Sequence, residues 1–291
     1  MRVALLSRNP LGWGTRSLEG AFNLRGSSTT VIPLRAVRES FLPLPKIVAD
    51  GFDLVKDFDA IVLRVLGHGS SEEILQTMSL IKCLEVQGQI LVNDGNAVRN
   101  CLNKSSVLSC LSESGVPIPR THIVQRIEEG MRAFEDMGDV VIKPLYGSRG
   151  IGVVRVTDVT TARFVLEEMF SRGHVPLIQE FLKHEGFDIR ALVVEGSVVA
   201  AMKRISKDFR TNISRGGKPI RFELNSELSE LAVKASNALG CDYSGVDIVI
   251  SDMGTHVLEV NCQPDYRALQ SVTGIDISST IATMVDKKAV R

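Results

Sequence analysis

The sequence predicts an α/β unit over roughly the first third of the chain, followed by an α+β lobe. Three observations carry that reading. Up to about residue 98, apolar strands alternate with helical stretches, the pattern of a small doubly wound sheet. After about residue 99, strands follow one another across short turns, as antiparallel hairpins do. With 291 residues, 44% of them hydrophobic, the chain is long enough for two or three domains with sizeable cores.

In the first unit, 3–7 reads as a strand and 16–25 as a helix capped by Thr15 or Ser17. Strands follow at 29–34 and 60–66, the second apolar on both faces as in a parallel sheet. A helix over 71–86 carries Glu72 and Glu73 in its first turn, where the helix dipole favours them. A strand over 90–93 closes the unit. In the second unit a helix over 104–114 ends at Gly115. Strands over 139–143 and 152–156 flank a glycine-rich loop, and another runs over 175–181. Strands over 189–194 and 197–203 pair across Glu195-Gly196, a helix spans 227–239, strands over 245–250 and 257–261 pair across 252–255, and a helix over 278–286 closes the lobe. No internal repeat or low-complexity tract interrupts the pattern.

Composition removes several classes of function. Lys plus Arg equals Asp plus Glu, so the basic footprint of a nucleic-acid binder is missing. No run approaches the length of a membrane span. The first residues enter a strand directly, without a signal-peptide core. The five cysteines form no Cys-x-x-Cys, which points away from a disulfide framework or a zinc site and towards a reducing cytoplasm.

The most informative stretch is the hairpin of 245–250 and 257–261. Glu259 and Asn261 share one face of their strand, and a turn near Met253 sets Asp247 roughly opposite them. Two carboxylates and an amide oxygen suit a hard cation such as Mg²⁺ beside nucleotide phosphates. The plainer reading is the polar face of a half-solvated hairpin. Tyr146-Gly147-Ser148-Arg149-Gly150-Ile151-Gly152 follows a strand ending at Lys143. Its mobile backbone suits an anion-binding concavity, but it lacks a P-loop ending and no helix follows it. A lysine closing the apolar run Val140-Val141-Ile142 suits a phosphate. Gln179-Glu180-Phe181-Leu182 offers a strand edge to an adenine, or is an ordinary core edge. Asp188 suits a ribose hydroxyl and Arg190 a phosphate or carboxylate, unless they form a cross-strand ion pair. Lys203, Arg204, Arg210 and Arg215 make a basic, glycine-ended segment with Asp208 as its acidic partner, either an anion-handling loop or a solvated charge run.

Taken in order, Ile142-Lys143-Pro144, Gly147-Ser148-Arg149-Gly150-Ile151-Gly152, Gln179-Glu180-Phe181, Asp188-Ile189-Arg190, Asp208-Phe209-Arg210-Thr211-Asn212 through Arg215-Gly216-Gly217, Gly245-Val246-Asp247-Ile248 and Leu258-Glu259-Val260-Asn261 resemble the ATP-grasp ligases of the RimK type. The likeness runs from about residue 99 to the end. It implies an ATP-grasp fold, two lobes clamping ATP, with a lid over about 99–183 and a C-terminal lobe over about 184–291, behind a pre-ATP-grasp domain over 1–98. It implies ATP, with Mg²⁺ or Mn²⁺ and two ions, and a reaction in which a carboxylate becomes an acyl phosphate and then an amide of an incoming amino acid, L-glutamate first. Carried over, Lys143 and the less secure Lys104 bind nucleotide, with the loop glycines Gly147, Gly150 and Gly152 and Ser148 over the phosphates. Glu180 and Phe181 hold the adenine edge and Asp188 the ribose. Arg210, Thr211 and Asn212 sit near the transferred phosphate, Arg190 or Arg215 pairs the carboxylates of the amine, and Asp247, Glu259 and Asn261 hold the metal.

One departure bears on the acceptor. After Asn261 the family commonly has small residues and then Pro-Gly, whereas this chain has Cys262-Gln263-Pro264-Asp265-Tyr266-Arg267. Gln263, Asp265 and Tyr266 are expected to line the acceptor side, with Trp13, placed in a loop after the first strand, as a stacking platform. A small coenzyme acceptor follows, tetrahydromethanopterin first and coenzyme F420 second. A ribosomal or carrier protein is the alternative acceptor. A phosphotransferase on the same ATP site and a non-catalytic nucleotide-binding module are the other readings. A homo-oligomer, dimer or tetramer, is expected, with no nucleic-acid or membrane partner.

Overall fold

The structure is a computed structural model that describes residues 1–41, 43–66, 69–147 and 150–290. The first unit contains β1 (Arg2–Ser7), α1 (Trp13–Leu24), β2 (Ser28–Pro33), β3 (Arg38–Phe41), β4 (Pro45–Ala49), β5 (Phe52–Asp53), β6 (Ala60–Arg64), α2 (Ser71–Val86), β7 (Leu91–Val92) and α3 (Gly95–Asn100). Its main sheet has the order β2-β1-β6-β7 with every pair parallel. All five residues of β6 are buried, and the first four, Ala60 to Leu63, form the continuous apolar run of a strand covered on both faces. Ser70 caps α2 in a capping box with Glu73, satisfying amides that the first turn leaves open. The expected break at 98/99 falls inside α3. A small antiparallel sheet, β3-β4-β5, was not foreseen from the sequence.

The chain continues through α4 (Lys104–Glu113), β8 (Thr121–Ile123), α5 (Ile127–Met137), β9 (Val140–Pro144), β10 (Val154–Val156), α6 (Val159–Ser171) and β11 (Pro176–Glu180). Strands β10-β9-β11-β8 form an antiparallel sheet covered by α5 and α6, with Phe134, Val140, Ile142, Leu166 and Ile178 in its own core. Helix α4 packs elsewhere: Val107 and Leu111 join the core beneath the last sheet, with Val246 and Val260. The last lobe holds β12 (Phe187–Val194), β13 (Ser197–Ile205), β14 (Lys218–Arg221), α7 (Ser226–Ala238), β15 (Tyr243–Ser251), β16 (Gly254–Asn261), α8 (Arg267–Thr273) and α9 (Ile277–Val290). Its sheet runs β14-β13-β12-β15-β16, antiparallel throughout. An α/β unit followed by antiparallel sheets with helices is the architecture expected. Among the described residues no helix is long and apolar enough to cross a membrane.

Two β-bulges decide which side chains face the cleft. The turn of the β15–β16 hairpin pairs Ser251 with Gly254 and Ile248 with Val257. Continued without interruption, that register would set Asp247 opposite Leu258 and leave it on the other face from Glu259. An irregularity between Asp247 and Ile248 slips the pairing by one residue, so Asp247 faces Glu259 and Gly245 faces Asn261. The β12–β13 hairpin does the same. Val194 pairs with Ser197, but a shift between Leu192 and Val193 brings Asp188 opposite Arg204 instead of Lys203.

Candidate active site

A cleft lies between the β10-β9-β11-β8 sheet and the last sheet. Its walls include Lys104 and Lys143, Asp188, Arg204, Asp247 and Glu259, and Arg210, Thr211 and Asn212 of the basic loop.

Lys143 ends the apolar part of β9 and donates to Gln179 Oε1 at 2.9 Å. Burial pushes its ammonium down to about 8, with Glu259 opposing and Lys104 reinforcing the shift. Lys104 opens α4 and donates to the carbonyl of Gly147 at 2.8 Å, tying that helix to the glycine-rich loop. Gly150 has φ of 68° and Gly152 of 71°, values costly for any other residue. A Cβ on Gly150 would meet Asn212 Oδ1 at 2.5 Å and Arg215 Nε at 3.1 Å, so the loop lies directly on the basic segment. Ser148 lies outside the described residues.

At the far end, Phe181 is flanked by Phe209 and His184, each ring centroid 6.1 Å away, and the Arg155 guanidinium lies 3.6 Å from its centroid. Asp139 holds Arg155 through two hydrogen bonds. The amide of Glu180 donates to Arg120 O and that of Phe181 to Asp139 O. Backbone pairing with a base is therefore left to carbonyl oxygens and to Leu182, which also lines the cleft. Glu180 turns its carboxylate onto the Arg120 amide at 2.6 Å.

The floor is a buried ion network. Arg190 grips Asp247 with Nε and Nη2, the latter at 2.8 Å. Arg204 grips Asp188 with Nε and Nη2 and reaches Asp247 Oδ2 at 3.1 Å. Burial alone would raise the Asp247 carboxyl, but Arg190 and Arg204 outweigh it and hold it below the usual range. Burial likewise opposes charge on Arg204, and the two aspartates overcome it and raise its pKa. Asp188 thus lines the cleft as the cross-strand ion pair, with both oxygens engaged. Arg210 is paired with Asp208 at 2.6 Å and reaches Val153 O at 3.4 Å, linking the basic loop to the residue before β10. Asn261 is the next residue on Glu259's face, at the end of β16.

The donors around Glu259 fit a hard cation. They are two carboxylates and one amide, all oxygen; among the described residues no group of three or more His, Cys, Asp or Glu is placed to hold a metal ion. That set suits Mg²⁺, which is held by one or two carboxylates plus substrate phosphates. An ionised carboxylate has about four lone-pair sites, so the three N–H contacts on Asp247 leave little room for further ligands there.

The sequence reading missed His184 as a cleft residue and Arg155 as the cation stacked on Phe181, gave Phe209 and Gln179 no role of their own within the segments it singled out, and counted Arg204 only as a loop cation. Two other expectations are corrected. Trp13 opens α1 instead of sitting in a loop, and its ring packs edge-on against Tyr266 at 5.5 Å. Tyr266 is buried, with its hydroxyl against Ser278 at 3.0 Å, and does not line a polar wall.

The family model of the RimK-like ATP-grasp domain matches residues 101–285. A protein of Teredinibacter turnerae named probable alpha-L-glutamate ligase is 35% identical over 99% of this chain and 96% of its own length. One of Methanosarcina acetivorans named tetrahydromethanopterin:alpha-L-glutamate ligase is 29% identical over 94% of this chain and 95% of its own. The RimK domain ATP-grasp protein of Sphaerobacter thermophilus superposes with a TM-score of 0.75 at 24% identity, covering 98% of this chain and 99% of that one. The ATP-grasp ligase PsnB, complexed with minimal precursor, Mg and ADP, gives 0.75 at 20% identity over 99% and 97%. Both structural likenesses speak for the fold.

Proposed function

We propose that this chain, which belongs to the family of RimK-like ATP-grasp domains and is a ligase of the α-L-glutamate ligase group, adds L-glutamate to the carboxylate of a small coenzyme. One observation carries the reading at the site. Lys104, Lys143, Arg204 and Arg210 line a cleft whose carboxylates are Glu180, Asp188, Asp247 and Glu259, and Arg190 holds Asp247. Such a cleft neutralises a polyphosphate and positions it, which is most of what phosphoryl transfer requires of a protein.

An acceptor carboxylate oxygen attacks the γ-phosphorus of ATP, ADP leaves, and an acyl phosphate forms. The amine of glutamate then attacks the acyl carbon and phosphate departs with that oxygen. Lys143 and Lys104 hold the phosphates from the lid side. Arg210 neutralises the transferring group once it exchanges Asp208 for phosphate. Arg190, with Arg215 beside Gly150, pairs carboxylates of the incoming amine. Asp247, Glu259 and Asn261 would hold Mg²⁺ (Mn²⁺ and a second ion being open to the same donors), which supplies charge neutralisation between the phosphates. The glycine-rich loop covers the acyl phosphate against water.

For the acceptor, tetrahydromethanopterin comes first and coenzyme F420 second. The Methanosarcina acetivorans relative supports the first by its name, at 29% identity. A screen for ADP release across amino acids paired with these acceptors and with protein acceptors tests the proposal. ADP release that needs both glutamate and a coenzyme supports it. Turnover only with a protein acceptor would reassign the substrate, and ADP release without any amine, yielding no hydroxamate with hydroxylamine, would remove the ligase step.

The lysine makes the site pH-dependent. Between pH 8 and 10.5 the folded protein carries less charge on Lys143 than the unfolded chain does, so the penalty for burying the ammonium is present below 8 and relieved above it. ATP binding runs the other way, because phosphates favour the ammonium. Affinity for MgATP should be full below pH 8 and fall towards tenfold per unit above it. In Lys143→Met the affinity should be low at pH 7 and flat across that window, as titration calorimetry at pH 7, 8 and 9 would report. A wild-type profile in the variant contradicts the role.

A further inference from the structure

The described residues that line the nucleotide cleft begin at Lys104, so the first unit forms no part of those walls. The first unit nevertheless holds the chain where it leaves the metal site. Asn261 is the last residue of β16, and its pairing with Gly245 is the last rung of the β15–β16 ladder. Beyond that rung no strand among the described residues pairs with the chain. The position of the Asn261 side chain therefore depends on what holds residues 262–264.

Those three residues are held in turn by the carboxyl ends of β6 and β7, neighbours in the parallel sheet. Asn93, directly after β7, donates to the carbonyl of Cys262. The amide of Leu66, two residues after β6, donates to Gln263 Oε1 at 2.8 Å. Arg64, the last residue of β6, donates to the Pro264 carbonyl at 3.4 Å and to the Tyr243 hydroxyl at 3.2 Å.

Asn93 is fully buried, and every polar position of its carboxamide is used. Oδ1 accepts from the amides of Asp242 at 2.6 Å and Tyr243 at 3.1 Å. Nδ2 donates to the carbonyl of Tyr243 at 2.9 Å and to that of Cys262. Towards Tyr243 it offers one acceptor and one donor, as a paired antiparallel residue would. It thus adds one rung beyond Gly245 and Asn261 and joins the start of β15 to the end of β16. A buried polar network with every member satisfied is rigid. The held segment also returns to the site at Gly245. A Cβ there would meet Pro264 Cβ at 2.9 Å and Arg190 Nη1 at 3.0 Å, so Pro264 packs beside the arginine that grips Asp247.

We propose that Asn93 is a positioning residue for the metal centre. By extending the β15–β16 ladder from the first unit, it fixes Asn261 and so sets how strongly Mg²⁺ joins the nucleotide complex. Groups that orient metal ligands are commonly worth about 10–100-fold in metal affinity. The inference rests on the assignment of Asp247, Glu259 and Asn261 to the metal.

Asn93→Asp separates the two halves of the carboxamide. One carboxylate oxygen still accepts from Asp242 and Tyr243, but the other faces two carbonyls, and the bond to Cys262 is lost. Binding of a non-hydrolysable ATP analogue, AMPPNP, to the full chain is measured by titration calorimetry with excess Mg²⁺ and again with EDTA. The ratio of the two affinities is the contribution of the metal. Mg²⁺ should strengthen binding to the wild type, and Asn93→Asp should remove about tenfold of that gain while the affinity in EDTA stays at the wild-type value. An unchanged ratio overturns the proposal. Equal losses in both buffers overturn it too, since Asn93 would then support the fold alone. A urea midpoint shows whether the variant folds. If it does not, Gln263→Leu, which frees the Leu66 amide, decides the matter: a lowered ratio is expected, and an unchanged one overturns the proposal. Glu259→Gln in the same titration separates the inference from the assignment beneath it. A ratio lowered by Glu259→Gln but not by Asn93→Asp leaves the metal site standing and removes only the role of Asn93. A wild-type affinity indifferent to Mg²⁺, or a ratio that Glu259→Gln leaves unchanged, removes the metal assignment and the inference with it.

Discussion

Glu259→Gln leaves the fold intact and lowers turnover by about 10²–10³-fold, the scale seen when one preorganised electrostatic group is removed from a reacting centre. The substitution keeps the shape of the side chain and its place opposite Asp247. It removes the carboxylate left less encumbered, since Asp247 already accepts from Arg190 and Arg204. The variant should also need far more Mg²⁺ to reach its own maximum. Turnover measured against Mg²⁺, alongside a urea midpoint within error of wild type, checks both halves. Wild-type activity at low Mg²⁺ would remove Glu259 from the metal site.

Arg204→Ala should be the most destabilising single change in the cleft. It strands Asp188, about 5% exposed, without its bidentate partner and takes one of two arginines from Asp247. Breaking a buried ion pair from one side costs about 3–5 kcal/mol, because the surviving charge stays buried. The double variant Asp188→Leu/Arg204→Met, which removes both charges of that pair, should be closer to wild type than the single one. Denaturant midpoints of the three proteins decide it. A single-variant cost below about 1 kcal/mol, the range of an exposed pair, would mean that water reaches the network.

The polar face of the β15–β16 hairpin was legible in the sequence because Glu259 and Asn261 obey the strand period whatever lies across from them. Asp247 was expected roughly opposite Glu259 and is found there, but the one-residue slip that completes the alignment is encoded by no turn signal. Arg204 was hidden for the same reason: plain hairpin register pairs Asp188 with Lys203, and the bulge moves the partner by one. The parallel sheet could be read from runs such as Ala60 to Arg64, buried on both sides. Helices α5 and α6 went unread, although α6 is capped by Asp158. Trp13 was misplaced because a glycine at the N-cap, Gly12, gives no side-chain signal for the start of α1.

The central claim is that phosphate leaves carrying an oxygen from the acceptor and not from water. Turnover in ¹⁸O-enriched water with MgATP, L-glutamate and the acceptor that supports ADP release, followed by mass spectrometry of the phosphate, tests it directly. Passage through an acyl phosphate and attack by the amine predicts phosphate without solvent oxygen, formed one for one with ADP. One solvent oxygen in every phosphate would mean that ATP, or the acyl phosphate, is hydrolysed and that no amide is made.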